Sequence, residues 1–448
     1  MTTVPTVLVT GLAVRSAAGP GLARLYAATA AGRPLFRPVD RFAGAPAPAA
    51  TLDGSPALGP LLAEVVAEAR AQAGCPAGAP LLLAAHADER TAAVVEAVDP
   101  AARVYTGACV AASTAVADAA AAIRSGRQDR VVVAAGYLVE RDTYALFAAG
   151  RALSRDGSVR PFSRDRGGIL LGDAVVAVVL ESAASAGPRA ARALARLAGW
   201  GRAGDAHHVC RPAPDGGGLA RAARSALARA SLSPADLDYV NANGVGSALG
   251  DRSESAALRL LFGAAGPRPP IGATKSVHGH ALEASALLEL AVTVACLPGS
   301  CDLPGFDGPP PAAPAAGSVP RPGADGADGD ARAGAPGPGA PVGPRAGAAG
   351  GHRSPAPPPT GTSRQAPGHR DPADPVSVPP HPAGPDRAHH APVGPPLPAT
   401  AGWLGADPEC GVRPHLPADP PPDRPPAHAL TLNAAFGGAN TALVLAAA

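Results

Sequence analysis

The sequence has almost no lysine. Lysine and arginine together number 38, and all except Lys275 are arginine. Aromatic residues make up 3% and charged residues 17% of the 448 positions. There is no basic run of the kind that grips nucleic acid, and a net charge of +2 identifies no partner. The six cysteines (Cys75, Cys109, Cys210, Cys296, Cys301 and Cys410) are widely spaced and include no CxxC pair. Neither a disulfide framework nor a zinc site follows from them. No uncharged apolar run reaches the roughly 18 residues that suggest a membrane-spanning helix. The opening MTTVPTVLVTGLAV lacks a basic stretch and is interrupted by Gly11 and Arg15, so it reads as a buried strand rather than a signal peptide. No strict Gly-X-Y period suggests collagen. The expectation is a cytoplasmic protein with no membrane, nucleic-acid or metal partner.

What is abundant is glycine and proline, 54 of each, about twice their usual share. The prolines are uneven: 20 fall in residues 1–300 and 34 in residues 301–448. The excess of Ala, Gly, Pro and Arg resembles the product of a high-GC coding sequence. In that background, a lysine that survives marks a position that needs an ammonium rather than a guanidinium. With 46% hydrophobic residues, the chain cannot be disordered throughout.

Periodicity predicts buried strands at 6–14, 81–85, 130–138 and 174–182. It predicts helices at 57–74, 110–126, 218–231, 253–262 and 281–297, and the short segments DYVNANG and IGAT fall between the later ones. Continuous apolar strands separated by helices predict a layered α/β fold with sheets covered on both faces. From about 299 to 395 the pattern is lost in runs such as GPPPAAPAAG and GAPGPGAPVGP. Such a block cannot bury enough apolar surface to offset its ordering entropy. Two readings stay open: a disordered Pro/Gly-rich insertion, or a stretch translated out of frame. Its histidines (His352, His369, His381, His389 and His390) are scattered and predict no metal site. Ordinary patterning returns at 397–411 and closes with 429–445.

Three places carry groups suited to chemistry. Cys109 precedes the 110–126 helix, where the positive end of the helix dipole can lower a thiol pKa and first-turn amides can hold an oxyanion. A small apolar core cysteine is the alternative. Lys275, His278 and His280 precede the 281–297 helix, where imidazole can donate an N–H or accept a proton; a plain surface loop is the alternative. AAFGGAN at 434–440 is a small-residue turn whose glycines allow close backbone approach to a ligand.

Together these pieces resemble the β-ketoacyl synthases of the thiolase superfamily. TGACVAASTAVADA is similar to the family's nucleophile segment, PFSRDRGGILLGDA (161–174) to PFDxxRDGFxxGEG, and YVNANGVGSALGDRSE (239–254) to YVNAHGTxTxxxDxxE. ATKSVHGHALEAS (273–285) is similar to STKSxxGHxxGAA, and LTLNAAFGGANTALVL (430–445) to the closing NSFGFGGxN. The resemblance implies a thiolase-like five-layered αβαβα fold with two similar halves. Residues 1–185 would form the first half, with residues 186–298 and 396–448 forming the second around the 299–395 block.

It also implies a mechanism. Cys109 takes an acyl group from a thioester, and the amides of Cys109 and Phe436 hold the oxyanion. A malonyl thioester then loses CO2, and its enolate attacks the acyl-enzyme. His280 and the residue at 243 donate to that enolate. Lys275 orients this group with Glu254, and Gly437 and Gly438 shape the closing turn. No cofactor is bound. Substrates arrive on the phosphopantetheine of an acyl carrier protein, and the enzyme is a homodimer or a heterodimer with a related subunit.

The departures matter. Asn243 stands where the family has histidine; it can donate an N–H but carries no proton at neutral pH. PFD becomes PFS, RDGF becomes RGGI, and GEG becomes GDA. These changes point to a divergent member in polyketide or fatty-acid-type biosynthesis, of secondary metabolism rather than housekeeping fatty-acid synthesis. The competing readings are a non-elongating acyltransferase, a non-catalytic partner subunit of a ketosynthase heterodimer, and the inactive product of a damaged gene.

Overall fold

A computed structural model describes residues 4–75, 78–263, 268–298 and 395–448. Apart from residue 395, the Pro/Gly-rich block lies outside them, with Cys301 and its five histidines. The strands in chain order are β1 (Val7–Ser16), β2 (Gly19–Pro20), β3 (Leu81–Ala84), β4 (Arg103–Tyr105), β5 (Arg130–Tyr137) and β6 (Ala174–Ser182). The second series is β7 (Ala195–Gly204), β8 (Tyr239–Asn241), β9 (Ile271–Gly272), β10 (His428–Ala434) and β11 (Ala439–Ala446).

The sheet runs β4-β3-β5-β6-β1-β7-β11-β10-β8-β9, with β2 against β1. The two sides of this order repeat each other. β1–β6 and β6–β5 are antiparallel, while β5–β3 and β3–β4 are parallel. In the same sequence, β7–β11 and β11–β10 are antiparallel, while β10–β8 and β8–β9 are parallel. The halves touch edge to edge through only two residue pairs, Leu8↔Arg196 and Val9↔Ala195.

The helices complete five layers. Leu58–Gln72 covers the outer face of β1, β5 and β6, and Gly217–Ala230 covers that of β7, β10 and β11. Ala111–Arg124 and Ser285–Ala295 lie between the half-sheets, packed on strands of both. Every residue of Ser285–Ala295 is buried, as a mostly apolar helix between two sheets must be, and the buried set includes Glu289.

Glycines set the spacing of the outer layers. A Cβ on Gly11 of β1 would lie 2.2 Å from the Ala69 carbonyl oxygen of the first outer helix. Cβ atoms on Gly199 and Gly201 of β7 would lie 2.1 Å from Ala226 O and 1.9 Å from Ala222 O of the second. These glycines also hide β7 from periodicity, and the sequence reading missed this strand. It differs elsewhere too. The 253–262 helix starts at Ala248, and the 281–297 helix begins with a separate 3-10 turn at Leu282–Ala284, while the 434–440 turn joins the hairpin of β10 and β11. Residues 397–411 form neither helix nor strand. Residues 397–401 pack as buried coil, donating from Ala399 N to Thr29 O (2.9 Å) and from Ala401 N to Ser276 Oγ (2.8 Å).

No described helix is long and apolar enough to cross a membrane. No cluster of three metal-ligating side chains occurs among the described residues.

Gly201→Ala is expected to lower stability by about 1–3 kcal/mol through overpacking against Ala222. Gly187→Ala, where nothing stands within 4 Å of the added Cβ, serves as the control. Equal urea midpoints for the two variants would contradict the close approach.

Candidate active site

The nucleophile turn is strained. Ala108 holds φ +50°, a left-handed conformation that costs a residue with a Cβ about 1–2 kcal/mol. It starts a short 3-10 turn, Ala108–Val110, which places Cys109 at the head of the middle helix Ala111–Arg124. Ser113 of that helix is hydrogen-bonded to Thr441 of β11 at 2.6 Å, tying it to the second half.

Cys109 is buried. The helix dipole led us to expect a lowered thiol pKa; instead it is pushed up to about 12. Burial is the main cause and the Glu283 carboxylate adds to it, while Lys275 opposes them only in part. Desolvation of a thiolate outweighs the dipole here.

The other motifs converge through main-chain bonds. His280 N–H donates to Leu170 O (2.7 Å) and Gly172 N–H to His280 O (3.0 Å), so the 161–174 and 273–285 segments are zipped together. The buried Asp251 carboxylate accepts N–H groups from Phe162 (2.9 Å) and Gly246 (3.1 Å). Burial raises its pKa to about 6.

Lys275 is 1% exposed. Its ammonium donates to Asn243 O (2.8 Å), to Asn243 Oδ1 (3.2 Å) and to the Glu289 carboxylate. Glu289 also accepts from Asn433 Nδ2. Its own pKa is raised by burial, against the opposing pull of Lys275 and Asn433. Lys275 therefore pairs with Glu289 and not with the expected Glu254. Glu254 instead accepts the backbone N–H groups of Asn243 (2.7 Å) and Gly244 (2.8 Å), and burial lifts its pKa to about 7. It shapes the loop and makes no direct bond to the ammonium. Glu289 was missed, although an acidic residue within the otherwise apolar SALLELAVTVA was the available signal.

These partners fix which way each polar group faces. Asn243 Oδ1 accepts from Lys275 and from Ala434 N–H (3.3 Å). Its amide Nδ2 has no acceptor among the described residues and is free to donate. His280 Nδ1 accepts the Leu282 N–H (3.2 Å) and the Ser285 hydroxyl (2.7 Å). Ser285 Oγ in turn accepts from Ala281 N–H (2.8 Å). With Nδ1 occupied as an acceptor, the ring proton sits on Nε2. Burial, then the Lys275 and His278 charges, hold the His280 pKa well below its usual value, so the ring is neutral. His278 is structural, bonded to Gly279 O (2.8 Å) and Thr274 Oγ1 (3.0 Å).

Cys109, Asn243, His280 and Phe436 line one cavity of about 400 Å³. Arg151 and Arg211 also line it. Phe436 is 56% exposed and its ring lies 6.0 Å from that of Phe147. Gly437 (φ +87°) and Gly438 (φ +73°) make the turn that presents it. Lys275, Glu289 and Glu254 stand behind this wall.

The family model for the β-ketoacyl synthase N-terminal domain matches residues 97–186, and that for the β-ketoacyl synthase C-terminal domain matches residues 194–301. Nodulation protein E of Rhizobium leguminosarum bv. trifolii is 39% identical over 43% of this chain and 47% of its own length. A 3-oxoacyl-[acyl-carrier-protein] synthase 2 of Staphylococcus aureus is 33% identical over 41% of this chain and 46% of its own length. The chain thus spans about half the length of the curated relatives it matches. The solved ishigamide ketosynthase/chain length factor superposes with a TM-score of 0.66 at 23% identity, covering 100% of both chains, a likeness of fold. The two domain models match in order, and the residues they cover include Cys109, Asn243 and His280 of the cavity, so across the site the chain is similar to the β-ketoacyl synthases.

Proposed function

We propose that the protein is a β-ketoacyl synthase that extends a Cys109-bound acyl chain with a malonyl thioester in polyketide or fatty-acid-type biosynthesis. The observation that carries this reading is the shared cavity. One nucleophile, Cys109, faces a space that two oriented donors, Asn243 and His280, also line.

In the first step the Cys109 sulfur attacks the thioester carbonyl. The amides of Cys109 and Phe436 hold the oxyanion, and the thiol proton leaves with the departing carrier thiol. His280 is not the base, because its Nδ1 lone pair is occupied and its Nε2 already carries the proton. In the second step the malonyl C–CO2 bond breaks, and Asn243 Nδ2 and His280 Nε2 donate to the enolate oxygen. The enolate carbon attacks the acyl carbon, and the Cys109 thiolate departs. Lys275 and Glu289 are positioning residues, Glu254 supports the loop, and Gly437 and Gly438 present Phe436. Nothing in these steps calls for a metal or a bound cofactor.

The carrier would be the phosphopantetheine of an acyl carrier protein, with Arg151 and Arg211 at the cavity as cations for its phosphate. The names of the Staphylococcus relative and of the ishigamide structure support a carrier protein and a related subunit as partners. A homodimer, or a heterodimer with such a subunit, in the cytoplasm completes the proposal. A non-catalytic partner role is disfavoured by the presence of Cys109. A frame error within 299–395 lies outside the described residues; transcript sequencing that found no shift there would remove it.

Intact-mass measurement after incubation with acyl thioesters, then with malonyl-carrier protein, is expected to give a Cys109 adduct followed by a β-ketoacyl product. Cys109→Ala is expected to give neither. An adduct that never condenses would favour the non-elongating acyltransferase, and no adduct with any donor would refute both readings.

The raised thiol pKa sets a pH signature. Below about 12, the thiolate fraction grows tenfold per pH unit. Single-turnover acylation by a small thioester should therefore climb without a plateau from pH 7 to 9.5. A plateau near pH 7 would contradict a buried, protonated resting thiol.

A further inference from the structure

The cavity that holds Cys109 has a second thiol in its wall, that of Cys210. Cys210 lies in the loop at 205–216 that follows β7, and it is the one exposed cysteine among the described residues. This loop lies against the Phe436 turn: a Cβ on Gly437 would stand 3.3 Å from Val209 O. The two thiols differ in access. Cys109 is 5% exposed at the head of its helix, whereas Cys210 stands where the cavity meets solvent, next to Val209, which is 84% exposed.

The surroundings of Cys210 suit a reactive thiol. His208 Nδ1 accepts the backbone N–H groups of Cys210 (3.1 Å) and Arg211 (3.3 Å), and the same nitrogen lies 3.7 Å from Cys210 Sγ. In the neutral ring the proton is then on Nε2, and Nδ1 is the acceptor that the thiol proton meets. Arg211, next in the chain, lines the cavity, as does Arg151. An exposed cysteine beside a histidine and an arginine is a setting in which a thiolate forms and reacts. The cavity itself is built to take a ligand. Asn243 is 7% exposed, and its Nδ2, in the same wall, has no acceptor among the described residues. No carboxylate is among the described residues that line the space, so its charge favours an anion. A thioester attacked by Cys210 would need its own oxyanion donors, and the amides that serve this purpose are those at Cys109. Exchange with a disulfide runs through sulfur and develops no oxyanion.

We propose that Cys210 is a site of reversible thiolation by small anionic disulfides, and that the capped residue closes the cavity to the thioester. The closing role rests on the reading of Cys109 as the acyl acceptor; the thiolation does not. The Cys210 thiolate attacks one sulfur of R–S–S–R while its proton passes to His208. The S–S bond breaks, one R–S group stays on Cys210 as a mixed disulfide, and the other leaves as a thiolate and takes up the proton. The incoming disulfide is reduced as Cys210 is oxidised, so no further oxidant takes part. A reducing thiol reverses the exchange. Cys109 is spared, because its buried thiol is held protonated.

The test treats the full-length protein with glutathione disulfide, which is anionic, or with cystamine, which is cationic, and maps the adducts by peptide mass. Glutathione is expected on Cys210, and acylation of Cys109 by a small thioester is expected to be lost and then restored by dithiothreitol. With each rate divided by that of a neutral cysteine peptide, glutathione disulfide is expected to react about tenfold faster than cystamine, and about 1 M sodium chloride to bring the two together. Cys210→Ser is expected to acylate equally well before and after treatment; should it fail to fold, the peptide map of the native chain still decides. No glutathione on Cys210, or glutathione there with acylation unchanged, would overturn the proposal, as would a loss of acylation that persists in Cys210→Ser. A loss of two hydrogens with no adduct would mark an internal disulfide and overturn the external one. Cystamine reacting as fast would overturn the anionic assignment. No Cys109 adduct in the untreated protein would overturn the closing role along with the acyl-acceptor reading, while glutathione on Cys210 would still establish the thiolation site.

Discussion

The buried ammonium of Lys275 is the point from which the site is organised. It touches the Asn243 backbone carbonyl, the Asn243 side-chain oxygen and the Glu289 carboxylate together. An ion pair taken out of water adds little net stability, so its value here is geometric. By claiming Asn243 Oδ1, the ammonium decides which end of a nearly symmetric amide remains to donate. An arginine would spread its charge over a planar fork, whereas an ammonium offers a compact charge with three donors. That explains a solitary lysine in a chain that otherwise uses arginine.

The fold delivers the other groups to this point from both halves. Ala111–Arg124 brings Cys109 and Ser285–Ala295 brings Glu289, and the two helices share the middle layer between the half-sheets. β10 ends at Ala434, whose amide joins Lys275 on Asn243 Oδ1. Each half therefore contributes groups the other lacks, and the narrow β1–β7 contact leaves most of their association to the packed middle helices. The arrangement separates burial from function: Lys275, Glu289 and Glu254 are sealed behind the wall, while the donor faces of Asn243 and His280 meet the cavity.

Much of this was legible in the residues. Cys109, Asn243, His280 and Phe436 reach one cavity from four separate motifs, and the long apolar strands stand close to where periodicity put them. What escaped depends on tertiary contact. β7 was hidden because Gly199 and Gly201, which admit the outer helix, break its apolar run. The Cys109 thiol was misjudged because position at a helix start reveals the dipole but not the burial or the Glu283 carboxylate. Glu289 was missed because the resemblance supplied only Glu254, and the sequence does not tell which buried carboxylate points at the ammonium.

The central claim is that Asn243, oriented by Lys275, works as a neutral hydrogen-bond donor in place of an imidazole. The direct measurement is CO2 release from a malonyl thioester by the acylated protein, comparing the native chain with Asn243→Leu, which keeps the size and removes the donor. Loss of one preorganised oxyanion donor is worth about 10²–10³ in rate, and a fall of that size is predicted. An unchanged rate in a folded, acylated Asn243→Leu protein would contradict the account.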